Sequence, residues 1–133
     1  TLTQDTPSMG AAFGYSLTSG RFDAGLQRDL AVGAPGGDPT ADIASGQVVV
    51  FSGRTASPQL TRTTTLNQTR ASEVDEAGDH FGAAVDFGDY DNDGDTDLIA
   101  AADGEVWANL TQGRAYTFRA TSGALNGWSN VGP

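Results

Sequence analysis

The chain is 133 residues long, with seven arginines, no lysine, no cysteine and a formal net charge of −10. So acidic a balance argues against partners that want basic patches, namely nucleic acids and anionic membrane surfaces. Without cysteine there are neither disulfides nor thiolate metal sites, and no stretch approaches the roughly twenty apolar residues of a membrane span. Glycine, threonine, serine and aspartate are abundant while the long helix formers Glu, Lys and Met are thin, which predicts short strands joined by tight turns. The opening on Thr1 is read as a processed or excised chain, such as a mature secreted form.

Taken in order, the first half shows Phe13-Gly14, an apolar stretch, a loop and Asp29-Leu30-Ala31-Val32, followed by Gly33-Ala34-Pro35. Residues 46–53 form the clearest strand, with four consecutive large apolar side chains between glycines. The threonine-rich run 58–66 reads as an outer strand. In the second half Phe81-Gly82 is followed by Asp89-Tyr90-Asp91-Asn92-Asp93-Gly94-Asp95-Thr96-Asp97. The apolar run 98–102 comes next, short enough for a buried strand. Residues 115–118 are again β-rich.

The halves repeat. Phe13-Gly14 matches Phe81-Gly82 at an offset of 68, and Asp29-Leu30 matches Asp97-Leu98 at the same offset. Val48-Val49-Val50-Phe51 aligns with Ala115-Tyr116-Thr117-Phe118 after a one-residue deletion. Two units follow, 1–68 and 69–133, each of about four short strands. Phe13, Phe51, Phe81 and Phe118 are expected in the core between sheets. Gly14, Gly33, Gly36 and Gly82 are expected at turns or close backbone approaches, and Pro35 at a strand end.

The aspartate ladder from 89 to 97 carries the chemistry. Five carboxylates in nine residues repel one another unless a cation neutralises them. A hard divalent ion with oxygen ligands does so, and calcium suits an all-protein cage better than magnesium, which holds its water shell. Asp89, Asp91, Asp93 and Asp97 would supply side-chain oxygens and Asp95 its backbone carbonyl, with Gly94 turning the chain around the ion. An EF-hand opens similarly but needs a bidentate glutamate at position twelve, where Ala100 stands.

Phe-Gly followed by Gly33-Ala34-Pro35, with Asp29-Leu30-Ala31-Val32 between, resembles the FG-GAP repeat of integrin α-subunit β-propellers and their bacterial relatives. The second copy keeps Phe81-Gly82, the acidic loop and Asp97-Leu98, but has Ala101-Ala102-Asp103 in place of Gly-Ala-Pro. The resemblance implies an all-β chain of two four-stranded antiparallel blades, with the acidic loop a strand-to-strand hairpin holding calcium. It carries over Asp89, Asp91, Asp93 and Asp97, with the Asp95 carbonyl, as ligands. In the first copy Arg21, Asp23 and Gly25 stand opposite Asp89, Asp91 and Asp93, so one calcium ion per chain is expected.

Known propellers close with roughly four to eight blades. Two would be completed by a longer chain or by other copies, in a ring or a filament. The segments 1–9 and 120–133 are expected to offer an edge strand to a neighbour, with Trp128 a candidate anchor into another subunit. The expected function is a calcium-stabilised, non-enzymatic module for assembly or adhesion, extracellular or at the cell surface, without membrane insertion. The alternative is a carbohydrate-binding propeller, with Trp107, Trp128, Tyr15, Tyr90 and Tyr116 as stacking faces; a protein ligand is a third option. Catalysis finds no support: the sole histidine, His80, has no nucleophile elbow, and no phosphate-binding loop exists without lysine. Asn67-Gln68-Thr69 and Asn109-Leu110-Thr111 are N-glycan acceptors if the chain passes a glycosylating route.

Overall fold

The computed structural model describes residues 1–3, 9–37, 44–121 and 124–131, with the side chains of 107 and 126–131 outside the description. Two four-stranded antiparallel sheets make up the all-β body. The first runs β1 (Ser16–Gly20), β2 (Asp29–Ala34), β3 (Gln47–Gly53) and β4 (Leu60–Leu66), paired in chain order. The second contains β5 (Phe81–Gly88) and β6 (Asp97–Ala102), a small inserted hairpin of β7 (Val106–Trp107) and β8 (Leu110–Thr111), then β9 (Arg114–Thr121) and β10 (Ala124–Val131). Its order is β5-β6-β9-β10, the same meander with the small hairpin spliced in.

The apolar runs explain which strands lie inside. In β3 Val48 and Val50 face the other sheet while Val49 and Phe51 face away, and all four are buried. Alternation thus makes β3 a strand covered on both sides, which is why its sequence is continuous rather than alternating. Ala31, Val48, Val50 and Leu66 of the first sheet pack with Leu98, Ala100, Tyr116, Phe118 and Ala120 of the second in one core. Phe81 sits at its centre, edge-on to Tyr116 and Phe118 with ring centroids 5.6 and 5.9 Å away. Each such fully buried side chain contributes about 1.5–3 kcal/mol. A smaller cluster of Val32, Val49 and Phe51 lies on the first sheet's far side, with Leu2, Phe13, Leu30 and Leu60 against it. Phe13 is therefore half-buried at that margin, whereas Phe51, Phe81 and Phe118 are core residues as expected.

The sheets meet along β1 and β5. Ser16 donates its hydroxyl to the Gly82 carbonyl at 2.7 Å, and Thr18 donates to the Asp86 carboxylate at 3.1 Å. Gly33 fits only because it lacks a side chain: a Cβ there would lie 2.1 Å from the Gly82 oxygen. The same device closes both loops after β2 and β6, where a Cβ on Gly36 or Gly104 would lie 2.0 or 1.8 Å from the carbonyl of Gly10 or Gly78. These pairs are themselves 68 residues apart. Strand β2 ends at Ala34, directly before Pro35.

The C-terminal segment, expected to offer an edge strand to a neighbour, forms β10, which pairs antiparallel with β9 as the edge strand of its own sheet. Its edge carbonyls and amides on one side are thereby committed within the chain. A 3₁₀ turn at Gln68–Ala71, between the sheets, has no counterpart in the sequence reading.

Candidate metal centre

The two β-hairpin loops that leave β1 and β5 stand side by side, with Arg21, Asp23, Gly94, Asp95 and Thr96 lining a shallow cleft between them. Both loops close by one arrangement. Asp29 accepts the Phe22 N–H at 3.0 Å on one carboxylate oxygen and the Gly53 N–H at 2.9 Å on the other. Asp97 accepts the Tyr90 N–H at 3.1 Å and the Ala120 N–H at 2.9 Å in the same way. Each aspartate, 1 % exposed, ties the loop to the third strand of its sheet. Burial holds the Asp29 carboxyl above the ordinary carboxylate value, against the pull of these N–H donors.

The second loop adds to that frame. Asp89 accepts the Asp93 and Gly94 N–H groups, both at 3.1 Å, and Asp91 also accepts from the Asp93 N–H at 3.1 Å. Gly94, at φ 94°, lies in the left-handed region that lets the chain double back here. Side-chain oxygens of Asp89, Asp91 and Asp97 come within 4.8 Å of one another, the one grouping of three such carboxylates among the described residues. Calcium–oxygen distances of about 2.3–2.6 Å span such a separation, so this oxygen-only donor set fits a hard cation. An oxygen that already accepts an N–H, as those of Asp97 do, retains a lone pair for an ion.

Asp93 takes another direction. Its carboxylate faces Arg119 on β9, with Nη2 at 2.6 Å and Nε at 3.2 Å. The same guanidinium reaches Asp91, with Nε 2.7 Å from its Oδ2. Asp93 is held below the ordinary carboxylate value by the Arg119 hydrogen bond and the Asp95 N–H. Asp91 lies above it, since desolvation outweighs the arginine's charge. Of the four aspartates expected to give side-chain oxygens, the structure brings Asp89, Asp91 and Asp97 together and turns Asp93 to an arginine, while Asp95, expected to give its backbone carbonyl, lines the cleft between the loops. Arg119 escapes sequence reasoning because it stands 22 residues past Asp97 on another strand, with no spacing signal.

In the first loop Arg21 occupies the place of Asp89, and the Asp23 carboxylate accepts the Gly25 N–H at 2.7 Å. Residues 81–118 match the model of the FG-GAP repeat. That stretch is similar to an FG-GAP repeat. It spans β5, the aspartate loop, β6 and most of β9, so the loop sits inside the matched segment. No curated protein matches the chain significantly. FG-GAP repeats build integrin-like adhesion and propeller modules, which are generally non-enzymatic.

The other residues singled out by sequence separate cleanly. Tyr116 is fully buried, donating its hydroxyl to Glu105 and accepting from Gln68, both at 2.9 Å, so it offers no stacking face. Tyr15 and Tyr90 are exposed, while the side chains of Trp107 and Trp128 lie outside the described residues. His80 sits at a left-handed turn, φ 58°, before β5, its Nδ1 3.1 Å from Asp103. Asn67 donates its amide to Asp75 at 2.6 Å, whereas Asn109 stands exposed in the β7–β8 turn.

Proposed function

We propose that the 89–97 loop binds one calcium ion and that the chain is a calcium-rigidified, non-enzymatic propeller-type module. It works by joining further blades, in other copies or in a longer chain, or by adhesion at the cell surface or outside the cell. The observation that carries the reading is the convergence of Asp89, Asp91 and Asp97 within a stretch similar to an FG-GAP repeat. The ion would fix the loop, and through Asp97 the loop is fastened to β9, so metal occupancy would stiffen the sheet that meets its neighbours. At the roughly millimolar calcium outside cells, even a dissociation constant of about 10⁻⁴ M gives a filled site.

Completion by more blades is supported by the second sheet's far face. There Ile99, Ala101 and Ala115 stand half-exposed, opposite the side that packs the core. Apolar sheet faces of this kind call for cover. Mass in solution, measured by light scattering with and without a chelator, tests the assembly reading: oligomers that dissociate on chelation support it, and an unaffected monomer rejects it.

One observation favours a second reading, carbohydrate binding. At the end away from the aspartate loop, the exposed Tyr15 shares a cleft with His80 and Asp103, combining a stacking face with polar groups. Reproducible binding on a glycan array that disappears in Tyr15→Ala would promote it.

A further inference from the structure

The guanidinium of Arg119 is the cation that the structure places on the aspartate loop. It contacts Asp91 and Asp93 together, at 2.7 and 2.6 Å, and is 40 % exposed, so it can swing away into water. In the first sheet Gly53 does what Ala120 does in the second, bonding the buried aspartate, and the residue before it is Ser52. Ser52 turns to the adjoining strand, 2.6 Å from the Thr63 hydroxyl, and the first loop lacks the aspartate ladder. The arginine thus occurs where the carboxylates crowd.

We propose that Arg119 is an intramolecular competitor for calcium, which holds the metal-free loop in shape and weakens its affinity for the ion. This rests on the reading of 89–97 as a calcium site. With the metal absent, Arg119 neutralises two of the five carboxylates and suppresses the repulsion that would splay the loop. A divalent ion bound to Asp89, Asp91 and Asp97 then meets a positive charge bonded to one of its own ligands. Asp93 would join the shell as a carboxylate already shared, through Oδ2, with the guanidinium, which weakens its pull on the ion. Both effects oppose binding, so affinity is set by β9 as well as by the loop. The loop would then load where calcium is abundant and stay ordered where it is scarce.

The test is isothermal titration of the chelator-treated chain with calcium chloride, together with melting in chelator, for the wild type, Arg119→Gln and Arg119→Lys. Arg119→Gln should melt lower without metal yet bind calcium about tenfold tighter, because a nearby like charge has gone. Arg119→Lys, which keeps the charge but loses the two-pronged contact, should fall between. A residue that merely supports the loop would lose affinity and melting temperature together. Wild-type binding with unchanged or weaker affinity in Arg119→Gln overturns the competitor role and leaves the calcium reading standing. No binding by any of the three chains overturns both.

Discussion

The loops leaving β1 and β5 share a closure and differ in their filling. In each, one buried aspartate receives two backbone amides, from Phe22 and Gly53 around Asp29 and from Tyr90 and Ala120 around Asp97. The first does so with Arg21, Asp23 and Gly25 where the second has Asp89, Asp91 and Asp93. The comparison teaches that the aspartate of the Asp-Leu pair belongs to the fold, and that the ladder preceding it is an addition. Asp97 alone serves both purposes, as a strap between strands and as a member of the carboxylate group.

If closure is common to both loops, Asp29→Ala and Asp97→Ala should damage the fold alike. Each leaves two backbone N–H groups without an acceptor, at about 1–3 kcal/mol apiece. Urea denaturation in chelator should show losses of about 2–6 kcal/mol for both variants. A tolerant Asp97→Ala beside a crippled Asp29→Ala would break the equivalence.

The glycine pair gives a second, smaller check. Gly36→Ala and Gly104→Ala each press a methyl against a backbone carbonyl, at Gly10 and Gly78. Moving backbone to relieve such a clash costs about 1–3 kcal/mol. Similar falls in melting temperature for the two variants would extend the correspondence from the loops to the opposite end of the sheets. A neutral result in one would confine it.

The weakest effect concerns acid. Burial raises the carboxyls of Asp29, Asp79 and Glu105 above their ordinary values. Such groups favour folding when protonated, a contribution fully present below about pH 4 and lost as pH rises through the raised folded values. In chelator, therefore, melting temperature should climb as pH falls from 7 towards 5. With calcium present, protonation of Asp91, whose carboxyl desolvation also holds above its ordinary value, works against the ion, so the climb should shrink or reverse. A falling melting temperature in chelator over that range would contradict the assignment.

Sequence and structure agree where a strand carries its own apolar signal. The runs at 46–53 and 98–102 became β3 and β6, and 58–66 supplied β4 from Leu60 onward. Strand β1, Ser-Leu-Thr-Ser-Gly, is where the sequence reading expected an apolar stretch, but only Leu17 is a large apolar residue there, and the strand is held by register with β2 and by contact with β5. The segment of β10 was expected as an edge strand for a neighbour, and the structure pairs it with β9 of its own sheet. The carboxylate spacing pointed to the loop, but spacing along a chain cannot show what approaches from another strand. Arg119 thus redirects Asp93, and the amides of Tyr90 and Ala120 give Asp97 its second task. The buried set of Gln68, Glu105 and Tyr116 was equally hidden, because its members lie 37 and 48 residues from Gln68.

The calcium account meets its most direct test in calorimetric titration of the chelator-treated wild type beside Asp89→Ala and Asp23→Ala. It predicts one ion per chain for the wild type and for Asp23→Ala, and none for Asp89→Ala. A heatless wild-type titration, or binding that survives in Asp89→Ala and vanishes in Asp23→Ala, would contradict it.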